Sequence, residues 1–252
     1  MAVRRVPVLI VIVLAALLLS ACGKDEELTS DAASTRATAA AADGETATAP
    51  TATTTTPARS TRDGCTAVPA PQPAANPNRR RSRQRLSRDR RHTAVVRTNC
   101  GTIEIRLDVR RAPRTTSAFA GLARNKFFDG LTFHRIAKPG GNDYVIQGGD
   151  PLGTGNGGPG YAVVEAPPKR LRYTRYIVAM AKTETERPGT SGSQFFIVTA
   201  AEAPLEPDYA LLGEVVGGKS IVRRIAAVPT DPANEMPIDA VVISSLRVRS
   251  SG

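Results

Sequence analysis

Residues 93–249 predict a single, mainly β domain folded as a closed antiparallel barrel. Three observations lead there: many short runs that alternate apolar and polar residues, glycine-rich turns between them, and only two stretches with helical spacing. A segment of this length suits one domain with one core.

The first two strands read as a hairpin, 95–100 and 102–107, bent at Gly101 with one face inward. Pro113 then opens a helix at a position where its missing N–H costs nothing. Phe119, Leu122 and Ala123 fall on one face of that helix, which runs to about Asn125. Asp129 and Gly130 form a turn signal. Strand-like runs follow at 132–136, 145–148, 177–181, 194–199 and 210–216. A second helix over 219–227 and a last strand over 240–248 complete the domain.

The first third of the chain is different in kind. Residues 1–21 contain Arg4 and Arg5, an apolar run over 6–19, then Ser20 and Ala21, the pattern of a secretory signal too short for a confident membrane span. Leu19-Ser-Ala-Cys22 is similar to a bacterial lipobox, in which the cysteine carries the lipid. The expectation is an anchor at Cys22 that holds the protein on the outer side of the cell membrane. Residues 22–92 are rich in Ala, Thr and Pro and poor in large hydrophobes, so they predict a disordered tether. Eight of the thirteen residues 79–91 are arginine, against one acid, Asp89. Two readings of that block stand open: attraction to phosphate-rich lipid or polymer, or a solvated, self-repelling linker.

The net charge of +11 is spread as +2 in the signal, +4 over 23–92 and +5 in the remainder. That spread gives no special pointer to a polyanion, and the 4 % aromatic content argues against nucleic-acid stacking. No metal or cofactor is expected. With Cys22 assigned to lipid, Cys65 and Cys100 remain as an even pair in an oxidising compartment. A disulfide between them would staple the tether to the first hairpin, with two free thiols as the alternative.

The chemistry concentrates in Leu131-Thr-Phe-His-Arg-Ile136, followed by Tyr144-Val-Ile-Gln-Gly-Gly-Asp150, and in Ser191-Gly-Ser-Gln-Phe-Phe-Ile197. In these runs one arginine and two glutamines sit among large apolar side chains. The combination resembles the cyclophilin family of peptidyl-prolyl isomerases over about residues 93–248. The resemblance implies an eight-stranded barrel with a helix over each open end, and an enzyme that accelerates rotation about Xaa-Pro bonds in polypeptide substrates.

Such an enzyme needs no nucleophile. The barrier of roughly 18–20 kcal/mol comes from amide resonance. A dry slot for the proline ring and a fixed cationic donor beside the twisted amide nitrogen favour the transition state over the planar ground state. By resemblance, Arg135 is the donor and Gln147 holds it while bonding the substrate backbone. Tyr144, Val145, Phe196 and Leu205 match the proline pocket, with Tyr209 at its rim. Gln194 and Ala181 match the groove for the upstream part of the substrate. His134, the only histidine in the domain, alternates away from Arg135 and reads as structural.

The rim departs from the common pattern: Pro204 stands for a tryptophan, Lys182 for an asparagine, Tyr144 for a phenylalanine and Tyr209 for a histidine. The expected function is isomerisation of exported chains by a tethered monomer, assisting folding outside the cytoplasm. The alternative is a non-catalytic module that grips proline-containing peptides.

Overall fold

The computed structural model describes residues 64–75 and 77–252. Cys22 and the signal-like segment lie outside the described residues.

The domain begins with strand β1 (Arg91–Thr98), which turns at Gly101 into β2 (Gly101–Leu107). Helix α1 (Pro113–Arg124) follows, with Pro113 in its first turn. Its opening N–H groups are satisfied from a distance, since those of Arg114 and Thr115 donate to the Glu165 carboxylate at 2.8–3.0 Å. Phe119, Leu122 and Ala123 are all buried on it. Then come β3 (Arg135–Ala137), a single 3-10 turn (Pro139–Gly141), and β4 (Val145–Gly148).

The middle of the chain contributes β5 (Val163–Val164), β6 (Tyr173–Thr174), β7 (Ile177–Met180), β8 (Thr190–Ser191), β9 (Phe195–Val198) and β10 (Glu202–Ala203). Strand β11 (Leu211–Gly217), helix α2 (Lys219–Ala226) and β12 (Ile243–Ser251) complete it. Gly218, which opens α2, has φ 73°, and a Cβ there would lie 2.1 Å from the Thr102 carbonyl, so that turn admits only glycine.

Eight strands form one antiparallel sheet in the order β12-β1-β2-β11-β7-β9-β4-β3. The sheet curls around a core in which Phe119, Phe128, Phe133 and Phe195 stack at 4.8–6.1 Å between ring centres. The expected closed barrel is corrected to a curled half-barrel, because β3 and β12 do not pair as strands. One bridge, Thr132 to Val242, spans the seam, with Phe133 N–H on the Val241 carbonyl and Ile243 N–H on that of Leu131. Beyond it the free edge of β3 meets a loop instead of a strand. Pro229, Pro232 and Pro237 crowd the approach to β12, and proline has no N–H to extend a ladder. The Ile136 N–H bonds the Glu235 carbonyl there at 2.9 Å.

Within the expected tether, residues 64–75 and 77–92 lie on the domain. Cys65 and Cys100 form a disulfide. The Ala74 N–H reaches the Pro151 carbonyl, Arg79 N–H that of Pro159, and Leu86 N–H the Ser117 hydroxyl. Leu86 packs against the core, and His92 is fixed between Ser87 and Ser250. One leucine, one disulfide and a few backbone bonds pin this extended chain, and none of them registers in its composition.

Asp129, in the turn after α1, accepts two hydrogen bonds from Arg247 at 2.7 Å and one from the Leu246 N–H, tying the turn to β12. The Arg247 guanidinium holds its carboxyl below the ordinary value of 3.8. A depressed carboxyl contributes stability above its unfolded value and loses it as pH falls through the folded one. Melting temperature is therefore expected to drop on acidification below about pH 4. Thermal melts across that range should show a shallower acid slope for Asp129→Asn than for the wild type.

Candidate active site

Alternation along four neighbouring strands places the site. Ala179, Phe196, Gln147 and Arg135 stand in one row across β7, β9, β4 and β3. Val145 pairs Ala137 and Val198 in the next row on the same face. The residues between them, Val178, Ile197, Ile146 and Ile136, point into the main core. The outer face thus carries a second apolar cluster, built on Val145, Phe196, Val198 and Tyr173, with Tyr144, Ala181, Leu205 and Tyr209 packed at its margin.

Arg135 projects beside this cluster. Its Nε–H donates to the Glu235 carboxylate at 2.6 Å, and its Nη1 to Gln147 Oε1 at 3.3 Å. Its Nη2 makes no hydrogen bond among the described residues. The chain of donors continues: Gln147 Nε2 donates to Gln194 Oε1 at 2.9 Å, and Gln194 Nε2 to the carbonyls of Gly155 and Gly157. Both amide N–H groups of Gln194 are therefore spent on the glycine loop. A groove of about 430 Å³ opens between that loop and Ala181, Lys182 and Glu186, with Gln147 and Gln194 at its floor.

Tyr173, fully buried, organises the rim. Its hydroxyl donates to the Tyr209 carbonyl at 2.7 Å and accepts from the Tyr209 N–H at 3.0 Å. The Tyr209 ring then stands edge-on to Phe196, 5.4 Å between centres. Lys182 Nζ lies 5.5 Å above the Tyr209 ring while bonding the Thr183 and Glu186 carbonyls, so two departures from the common rim pattern pack on each other. Burial raises the phenols of Tyr144 and Tyr209, while the charge of Arg135 pulls both back. Both raised phenols favour the neutral form.

Every domain residue expected at the site lies in this region: Arg135 and Gln147 in contact, Tyr144, Val145, Phe196, Leu205 and Tyr209 in the apolar cluster, Ala181 and Gln194 along the groove. His134 is buried on the other side, where it lines a cavity of about 270 Å³ with Pro71 and Asp150. Desolvation lowers its pKa, which favours the neutral ring. Sequence reasoning missed two residues. Tyr173 sits in a two-residue strand without periodicity. Glu235 lies 100 positions from its partner, in a proline-rich loop with no motif.

The model of the cyclophilin type peptidyl-prolyl cis-trans isomerase family matches residues 93–248. The chain belongs to the cyclophilin family. Peptidyl-prolyl cis-trans isomerase B of Streptomyces anulatus is 39 % identical over 175 residues, covering 62 % of this chain and 96 % of the relative. Peptidyl-prolyl cis-trans isomerase A of Mycobacterium tuberculosis is 37 % identical over 174 residues, covering 62 % and 91 %. A Cryptosporidium parvum cyclophilin crystallised in the presence of the dipeptide Ala-Pro superimposes with TM-score 0.57 at 29 % identity, covering 63 % of this chain and 99 % of that one. This cyclophilin differs from the compact form implied by its motifs in the seam and in the segment laid over the domain.

Tyr173→Phe deletes both hydrogen bonds to the Tyr209 backbone and leaves buried polar groups unpaired. It is expected to cost about 1–3 kcal/mol in urea unfolding. The loosened rim should also raise KM for an Xaa-Pro peptide more than it lowers kcat.

Proposed function

We propose that this cyclophilin accelerates cis-trans rotation of Xaa-Pro bonds in exported polypeptides, from a lipid anchor at Cys22 on the outer side of the cell membrane. One observation carries the catalytic half of the reading. The guanidinium of Arg135 is held on two sides, by Glu235 and Gln147, in the row that leads to Phe196 of the apolar slot, and its Nη2 has no hydrogen bond among the described residues.

A proline ring seated on Phe196, Val145 and Leu205 would place its imide nitrogen near that donor. In the planar amide the nitrogen lone pair is delocalised and a poor acceptor. In the twisted amide the nitrogen is pyramidal and its lone pair accepts a hydrogen bond. Nη2 therefore stabilises the twisted state more than the planar one, which is the condition for lowering the barrier. The extended upstream chain would lie along the groove beside Gln147, Gln194 and Ala181. No proton is transferred and no bond is broken, so the reaction draws on charge placement and desolvation alone.

The extracytoplasmic half rests on the sequence. The apolar run over 6–19 and the lipobox-like Leu19-Ser-Ala-Cys22 support export and lipidation, and the Cys65–Cys100 disulfide suits an oxidising compartment. The chain would act there as a tethered monomer on folding or extended clients.

A protease-coupled assay on a short Xaa-Pro peptide tests the catalytic half. Losing one preorganised donor typically costs about 2.7–4 kcal/mol, so Arg135→Ala should slow isomerisation at least tenfold with unchanged circular dichroism. Equal rates for the two proteins would remove Arg135 from the mechanism and favour a peptide-binding module.

A further inference from the structure

We infer that Glu235 is a positioning residue for the catalytic arginine, supplied through the gap where the barrel fails to close. The inference rests on the proposed role of Arg135.

Glu235 sits in the loop between α2 and β12, at φ 59°. That left-handed conformation disfavours any residue with a Cβ, and glycine or asparagine would occupy it more easily. The loop nevertheless is built around it. The Glu235 N–H donates to the Asp231 carbonyl at 2.8 Å, the Asp231 N–H to the Met236 carbonyl at 2.9 Å, and the Asp231 carboxylate accepts from the Ala233 N–H. Its own carbonyl takes the Ile136 N–H from the free edge of β3. These backbone bonds need no particular side chain at 235, so they explain the loop and leave the glutamate unexplained.

Among the described residues the side chain has one hydrogen-bond partner, Arg135 Nε at 2.6 Å. Side-chain exposure of 39 % for Arg135 and 33 % for Glu235 makes this an ion pair of the kind that adds little to folding. What it does is geometric. An arginine has many rotamers and five N–H groups. Glu235 takes the Nε–H and Gln147 takes one N–H of Nη1, from two different elements. The plane of the guanidinium is thereby fixed, with Nη2 left over. A carboxylate placed on Nη2 would quench the donor, whereas on Nε it orients the group and leaves that donor free.

The test uses the full chain and four variants. Glu235→Asn accepts the left-handed backbone but is one methylene too short to hold Arg135. Glu235→Gln keeps the reach and an acceptor oxygen. Isomerisation of an Xaa-Pro peptide, thermal melting and the NMR signal of the Arg135 Nε–H are measured on each, beside Arg135→Ala and Glu235→Gly. Glu235→Asn and Glu235→Gly should lower kcat about five- to thirtyfold, less than the roughly hundredfold that a 1 Å misplacement can cost, because Gln147 still holds the guanidinium. Their KM should change little, their melting temperature should hold or rise, and the exchange-protected Nε–H signal should disappear. Glu235→Gln should recover most of the rate. A Glu235→Asn rate within about twofold of wild type, against a slowed Arg135→Ala, would overturn the positioning role and leave the arginine mechanism standing. A rate loss that follows a fall in melting temperature and is not recovered by Glu235→Gln would overturn it too. An undiminished Arg135→Ala rate would instead remove the proposed mechanism beneath it.

Discussion

Four short strands, β7, β9, β4 and β3, send their side chains alternately to the two sides of one curled sheet, and core and site both depend on that alternation. Ile146 can fill the interior only if Gln147 and Val145 face out, and the same holds for Ile136 between Arg135 and Ala137. A one-residue slip in any of these ladders would exchange the two sets. The packing that stabilises the domain therefore also sets the row of Arg135, Gln147 and Phe196. Aromatic contacts beneath, from Phe195 to Phe119, Phe128 and Phe133, make the inner face costly to disturb.

On this frame the proposed chemistry is a matter of holding a cation still. Arg135 heads a chain of donors: it donates to Glu235 on one side and to Gln147 on the other, Gln147 donates to Gln194, and Gln194 to the Gly155 and Gly157 carbonyls. Each group hands one hydrogen bond to the next, so the guanidinium, the groove floor and the glycine loop form one unit. The rim is held separately, by the Tyr173 hydroxyl on the Tyr209 backbone. Rim residues can therefore vary, as Lys182 and Tyr209 do here, while the cation keeps its place.

Much of this was legible in the sequence because motif and strand period coincide. Phe133-His134-Arg135 and Gln147 announced the chemistry, and alternation put His134 on the far side from Arg135. Helix α1 was readable from Phe119, Leu122 and Ala123. Strands β5, β6, β8 and β10 were not, since two residues contain no period. Tyr173 went unseen with β6. Closure was overestimated because the resemblance describes a complete barrel, whereas three prolines before β12 divert that segment from the edge of β3. Glu235 enters the site through that diversion, so the same local event hid both. Residues 64–75 and 77–92 read as tether because their hold on the domain comes from Leu86, Cys65 and scattered backbone bonds rather than from composition.

In the proposed mechanism a planar, fixed donor, rather than positive charge alone, favours the twisted amide. Arg135→Lys separates the two, because lysine keeps the charge and loses the fork that Glu235 and Gln147 grip. Exchange NMR on an Ala-Pro peptide, read with the wild type and with this variant, gives the interconversion rate and the binding of the peptide together. A fixed-donor mechanism gives a large loss of exchange with binding retained. Exchange as fast with lysine as with arginine would contradict it.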